Sequence, residues 1–335
     1  MKATRLISHL GSLAVFSVFI DQPATLRAQG GLTPPGAPAP TMKSLDQIYS
    51  KLDVRAPITN TASAVTISAP GSYFLTGNLT VSSGNAITIA TNSVTLDLNG
   101  FSISSTEANP TATGLLINNS LSDLTIINGH IRSGVTNNGS GVYSGSGFSN
   151  GIAYFNYAPA NVLVSHVSIN GVLNDGINLG NNNSTMVESC TVRTLGGLGI
   201  EASTVRSSLV FDCGAIAIFG DDVSDSRGQS TGSGMGLLAV NAQNCYGLSG
   251  SGDGLHANNA LNCYGFSASG YGINTYSAQN CWGVSSTSTG LKAYNASFCT
   301  GSHISGNGTA IQATVATGCY ALSGTNFITY KYNMP

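Results

Sequence analysis

Charge is scarce in this chain. Of its 335 residues only 8% are Asp, Glu, Lys or Arg, where an ordinary soluble domain carries about 25%. The 12 basic and 14 acidic side chains nearly cancel, and no basic run is present that neutralises a phosphate backbone, so nucleic acid is excluded as a partner class. Cys-x-x-Cys, His-Glu-x-x-His and phosphate-loop patterns are absent too, and with them the sequence grounds for a metal or a cofactor; none of either is expected. No second long apolar segment follows the first 28 residues, so no membrane span is expected. Proline (10) and glycine (42) together stay below the roughly 25–30% that marks low-complexity disorder. Apolar residues make up 41% and are spread along the chain, which leaves a core to bury. What remains is polar but uncharged text rich in Gly, Ser, Thr and Asn, a composition that favours strands and tight turns over long helices.

Lys2 and Arg5 stand before an apolar run from Leu6 to Ile20, and small residues follow at Ala24 and Ala28. That is the layout of a secretory signal peptide over 1–28, and it predicts a product that is secreted or held at the cell surface. Residues 29–40, which include GGLTPPGAPAP, read as an extended Pro/Gly-rich linker. Leu45, Ile48, Tyr49 and Leu52 then share one helical face behind a Thr41 N-cap. Residues 41–56 are therefore expected to form a helix capping the open end of a strand-rich region, 57–335.

The cysteines reveal how that region is built. Cys245, Cys263, Cys281 and Cys299 are spaced by 18 residues, and Cys319 follows by 20. Gly247, Gly265, Gly283 and Gly301 share one slot of the repeat, and Gly254, Gly272, Gly290 and Gly308 another. A period this short holds neither a helix pair nor a propeller blade, so each repeat is one coil of a β-solenoid. Upstream, Val164 to Ile177 realigns with Val187 to Ile200 at a shift of 23. Coils of about 23 residues are thus expected first, and 18-residue coils from about 227. Asn99-Gly100, Asn128-Gly129 and Asn170-Gly171 are expected at equivalent coil corners, and the Gly/Ser-rich stretch 137–150 as a protruding loop. In-register parallel strands hold stacked Cβ atoms about 4.8 Å apart, too far for a relaxed disulfide, so most thiols are expected to be free and to fill small apolar slots.

Several segments resemble a known family. PPGAPAPTMKSLDQI, ISAPGSYFLTGNLTV, ITIATNSVTLDLNGFSIS and the later Asn-Asp-Gly-Ile-type coils are similar to secreted bacterial right-handed parallel β-helix repeat proteins of the pectate-lyase-like superfamily. The resemblance implies an all-β, single-stranded right-handed parallel β-helix. A left-handed solenoid is the alternative. The superfamily hosts lyases, hydrolases, epimerases and non-catalytic adhesins, so the resemblance leaves the activity open.

Two sets of residues could carry function. Asp221-Asp222, with Asp225 and Arg227 close behind, is the densest charge cluster, and Gly220-Asp-Asp is similar to an element of polygalacturonase-like hydrolases; Asp175 is a possible partner on a nearby coil. The Gly-His-Gly and Arg-Ile-Lys elements of those hydrolases are missing, and Asp221-Asp222 reads equally as a solvated corner. Gly147-Phe-Ser-Asn-Gly151 has nucleophile-elbow spacing but no strand–turn–helix setting. From Ser230 onward the only charged side chains are Asp253, Lys292 and Lys331, with His256 and His303 expected on turns. The second set is aromatic. Tyr246, Tyr264 and Trp282 follow the cysteines, and alternation places them outward, as it does Tyr276 and Tyr294 on another face. A bend at Asn244, Asn262 and Asn280 would turn the first three inward instead. Outward rings on a charge-poor surface, with Ser249, Ser267, Ser285, Asn262 and Asn280 as polar neighbours, suit a neutral or weakly charged extracellular polysaccharide or cell-surface glycan. The favoured expectation is an exported, non-catalytic solenoid in adhesion, surface structure or glycan binding. The rival is a polysaccharide lyase or glycoside hydrolase using Asp175, Asp221 and Asp222.

Overall fold

The computed structural model describes Lys43, Ser44, Gln47 and residues 55–59, 62–181 and 183–334. The expected leader, the linker and nearly all of the cap helix, Thr41 included, lie outside the described residues. Within the segment expected to be helical, Ser44 and Gln47 each accept the other's backbone N–H at 3.1 Å, the reciprocal pattern of a capping box.

Residues Val54–Pro335 form one compact unit. Of its 31 strands among the described residues, 29 join in a continuous sheet wound into about 14 coils, and the coil-to-coil pairings are parallel. One coil shows the plan. Leu255–Leu261 begins on a face termed C, bends at Asn258 and continues on face A. Asn262 turns the chain, Tyr264–Ser267 forms face B, and a Ser/Gly turn leads back to Ile273. Each residue pairs with its equivalent one coil on: Leu255 with Ile273, Asn259 with Ser277, Tyr264 with Trp282.

The A–B corner is made by one left-handed residue per coil. Asn244, Asn262 and Asn280 have φ of 53°, 54° and 53°, a region that asparagine tolerates better than most residues. Their side chains form a column in which Asn280 Nδ2 donates to Asn262 Oδ1 (3.3 Å), Asn262 to Asn244 (3.2 Å) and Asn244 to Asp225 (2.9 Å). Asn99 and Asn128 hold the same corner near the start. Asn170-Gly171 does not, contrary to expectation. Val167 pairs with Gly129, so the corner residue of that coil is His166, with φ 56°.

The interior is thin. Leu255, Ile273 and Leu291 are fully buried, and mostly small residues accompany them: Ala257, Thr275 and Ala293 on the same face, Ala260, Ala278 and Ala296 on the next, and the cysteines. Opposite, face B turns Gly247, Gly265 and Gly283 inward. A Cβ on Gly265 would overlap the carbonyl oxygen of Gly272, and one on Gly272 would overlap the backbone of Val284. Backbone touches backbone here, which accounts for both glycine slots of the repeat. The remaining inward position of face B is serine. Ser249, Ser267 and Ser285 are buried and donate to the carbonyls of Gly234, Gly252 and Gly270 at 2.7, 2.6 and 2.8 Å. Expected as sugar-facing hydroxyls, they instead fasten the turn of the preceding coil. His303 continues this column and is buried rather than on a turn surface.

All seven cysteines are free and buried. Cys245, Cys263 and Cys281 donate to the carbonyls two residues upstream at 3.1, 3.2 and 3.2 Å. Burial pushes the Cys190 thiol up to about 11 and that of Cys213 up to about 12. Upstream the cysteine column continues as Ser226, Ser208 and Cys190, linked by Ser208 N to Ser226 Oγ and Cys190 N to Ser208 Oγ. These serines hide the period, and the 18-residue register starts earlier than 227, where Met186 pairs with Thr204.

The stretch 137–150 is not a plain loop. Thr136–Asn137 pairs antiparallel with Tyr143–Ser144. Asn137 and Asn138 close the turn by accepting from Gly139 N and Ser140 N at 2.9 and 2.8 Å, side-chain bonds that compensate for poor strand propensity. Asn137 Nδ2 and Tyr143 Oη both donate to Asp212, at 2.6 and 3.0 Å, fastening the hairpin to the coils.

Two outcomes follow from this interior. Gly272→Ala forces a methyl into backbone and is expected to cost about 3 kcal/mol, read as a lower urea midpoint. Gly250→Ala, whose Cβ would meet nothing closer than 3.4 Å, is expected to stay within about 0.5 kcal/mol; equal losses would contradict the glycine contact. A thiol reagent at neutral pH is expected to find none of the cysteines in the folded protein and all seven after denaturation without reductant.

Candidate functional site

Alternation that sends Ala242, Ala260 and Ala278 inward sends amides outward on face A. One outward column is Asp222, Asn241, Asn259, Ser277 and Asn295; the other is Ser224, Gln243, Leu261, Gln279 and Ser297. From Asp222 and Ser224 as far as Ser277 and Gln279 these columns line a groove of about 450 Å³ that includes Arg206. In the first column the amides satisfy one another: Asn259 Nδ2 donates to Asn241 Oδ1 at 2.9 Å, and Asn241 Nδ2 to Asp222 Oδ1 at 2.8 Å. The Gln243 and Gln279 amides differ. Both are exposed and neither bonds to another described residue. They stand two coils apart in one column, about 10 Å at the usual strand spacing.

Aromatic columns rise on either side. At the C–A corner Tyr276 and Tyr294 project, with ring centroids 5.0 Å apart and planes within 2°. Beyond the asparagine corner, Tyr246 and Trp282 are exposed and Tyr264 is half-buried, while the cysteines before them are buried. The bend at the asparagines therefore does not turn these rings inward. Their stacking limits what they offer. Tyr246 and Tyr264 lie 4.4 Å apart at 13°, Trp282 meets Tyr264 edge-on at 5.4 Å and 88°, and the Arg227 guanidinium lies 4.9 Å over Tyr246 and 5.1 Å over Phe211. Ring faces largely cover one another, so the column presents edges, hydroxyls and Trp282.

The acidic candidates are dispersed. Asp222 and Asp225 each end an amide column as acceptors, and Asp221 stands at the C–A corner in the column of Tyr276. Asp175 lies on the turn into face C, accepting from Leu198 N at 2.9 Å and Asn178 Nδ2 at 3.0 Å. By register its equivalent in the Asp221 coil is Ile216, five residues short of Asp221, or about 16 Å along a strand. Asp175 is thus not brought to Asp221-Asp222. Its acidic neighbour is Glu201, whose carboxyl is pushed up by burial and by the charge of Asp175.

Gln243 and Gln279 were not among the residues expected from sequence. Their signal is the tetrapeptide Ala-Gln-Asn-Cys, which occurs at 242–245 and again at 278–281 but is interrupted by Leu261 between them.

No family model matches the chain, and no curated protein matches it. Among solved structures it is similar to full-length tailspike protein 2 of the Escherichia coli O157:H7 bacteriophage CAB120, at 14% identity and a TM-score of 0.33, over 78% of this chain and 37% of that one. The chain thus spans little more than a third of the tailspike's length, and at that score the overlay adds nothing to the strand pairing seen directly.

Because the folded state raises the Glu201 carboxyl, ionising it costs stability above the carboxylate range, and the cost vanishes once pH falls below the unfolded value of about 4.3. Glu201→Gln is expected to raise the unfolding midpoint at neutral pH, by less than about 1 kcal/mol after solvent screening, and to give no gain at about pH 3. A gain that persists in acid would contradict the assignment.

Proposed function

We propose that this protein is an exported, non-catalytic β-solenoid that binds a polysaccharide along face A, in adhesion or surface structure. The observation that carries this reading is the groove. It is open, aligned with the coil axis and floored by amides, two of which have no partner among the described residues. Sugar hydroxyls are what an unsatisfied amide pairs with, and the Tyr276–Tyr294 and Tyr246–Trp282 columns add apolar edges for ring carbons. An extended glycan meets the same donors again as it passes successive coils. The reading also takes the coils as right-handed, the hand that parallel crossovers adopt, in the manner of the pectate-lyase-like superfamily, and residues 1–28 as the export leader. A lyase or hydrolase would need Asp175, Asp221 and Asp222 on one face, and their separation weighs against it.

Each amide bond adds about 0.5–1.5 kcal/mol and each aromatic contact a similar amount, so single-site affinity is weak and many copies at a surface make it useful. The test is retention on glycans chosen from an array of the purified mature protein. Gln243→Ala with Gln279→Ala is expected to weaken retention about tenfold, the loss of two modest hydrogen bonds, with an unchanged thermal midpoint. Unchanged retention in that variant, with loss in Tyr264→Ala plus Trp282→Ala, would move the site to face B. Release of shortened glycan by the wild-type protein would overturn the non-catalytic reading.

A further inference from the structure

Face C carries a second cluster. Between Ser230 and Pro335 the charged side chains are Asp253, Lys292 and Lys331, and the first two meet there with His256, Tyr271 and Asn274. Asp253 Oδ2 faces His256 Nδ1 at 3.0 Å and accepts from Asn274 Nδ2 at 3.0 Å, and Oδ1 accepts from Tyr271 N at 3.0 Å. Burial opposes ionisation of Asp253, yet its hydrogen bonds from His256, Asn274 and Tyr271 N hold its carboxyl below the ordinary value. That carboxylate is well supplied with donors.

Lys292 is not supplied with an acceptor of opposite charge. Its Nζ lies 4.6 Å over the Tyr271 ring and 3.4 Å from the Tyr271 hydroxyl, and no described carboxylate is within ion-pair distance. Arg55 shows the contrast: it too lies over a ring, that of Phe74, but it also has Asp97 at 2.8 Å. Lys292 lines a groove of about 340 Å³ with Tyr276, Tyr294, Gln312 and Phe327. A half-buried ammonium with a ring but no counter-ion, in a groove of aromatic and amide groups, is complementary to an anion carried on an apolar body.

We infer that this groove takes an anionic substituent, a carboxylate or a sulfate ester, on the glycan proposed above. Lys292 supplies the counter-charge, Gln312 an amide donor, and Tyr276, Tyr294 and Phe327 the surface for the sugar ring. The inference rests on the glycan reading and narrows it to acidic glycans, because Tyr276 of this groove is followed directly by Ser277 of the face A groove.

The test uses the mature protein on immobilised dextran, carboxymethyl-dextran and dextran sulfate, with Lys292→Met, Lys292→Arg and Lys331→Met beside wild type and thermal midpoints recorded. Wild type is expected to be retained at least about fivefold more strongly by one or both charged polymers, and added salt to remove the difference. The comparison of the two charged polymers distinguishes carboxylate from sulfate. Lys292→Met is expected to lose the preference, and Lys292→Arg and Lys331→Met to keep it. Equal retention on all three polymers, or a preference that survives Lys292→Met, would overturn this inference and leave the glycan reading standing. Absence of retention on any of them, with array binding also absent, would overturn both.

Discussion

The structure depends on a contact between two backbones. Where face B crosses the interior, Gly265 meets Gly272 and Gly272 meets the strand of Val284 with no side chain between, and the same contact recurs in the neighbouring regular coils. It sets the thickness of the solenoid and with it the 18-residue coil. In so narrow an interior there is room for one aliphatic column, Leu255–Ile273–Leu291, and otherwise mainly for alanine, cysteine and serine. Apart from His303, the larger polar and aromatic side chains of these coils are left to the outside. The surface chemistry of this protein is thus a consequence of how little its core can hold.

In-register stacking also accounts for the scarcity of charge. Each outward residue sits about 4.8 Å from its equivalent in the next coil, and two like charges at that distance repel by about 3 kcal/mol at an effective dielectric of 20. Neutral groups gain from the same repetition. Asparagines donate to asparagines along Asn244–Asn262–Asn280, and tyrosines stack on tyrosines at 246–264 and 276–294. A carboxylate fits such a column at its end, accepting from the first amide, where Asp222 and Asp225 are found. Two members of the densest charge cluster in the sequence, Asp222 and Asp225, are therefore explained by the amides that follow them.

What was legible from sequence was whatever repeats strictly. The cysteine and glycine slots lead to a β-solenoid, and alternation from Cys263 to Tyr264 leads to a buried thiol beside an outward ring. Serine was misread because its letter is the same inside and outside; only the carbonyl of Gly252, 15 residues upstream of Ser267, shows which it is. The hairpin at 136–144 was missed because its stability comes from Asn137, Asn138 and Asp212 rather than from strand-forming residues. Gln243 and Gln279 escaped notice because Leu261 breaks their column. Lys292 meets Tyr271 across coils, 21 residues apart, a spacing that belongs to neither the 18-residue period nor a local turn.

The central claim is that the solenoid presents face A, through amides that have no partner among the described residues, to a glycan running along the axis. A crystal structure of the protein with a glycan selected from the array tests it most directly. The account predicts sugar density over face A between Asp222 and Gln279, with hydroxyls on the Gln243 and Gln279 amides. Sugar seated on face B, or enclosed by Asp175 and Glu201, would contradict it.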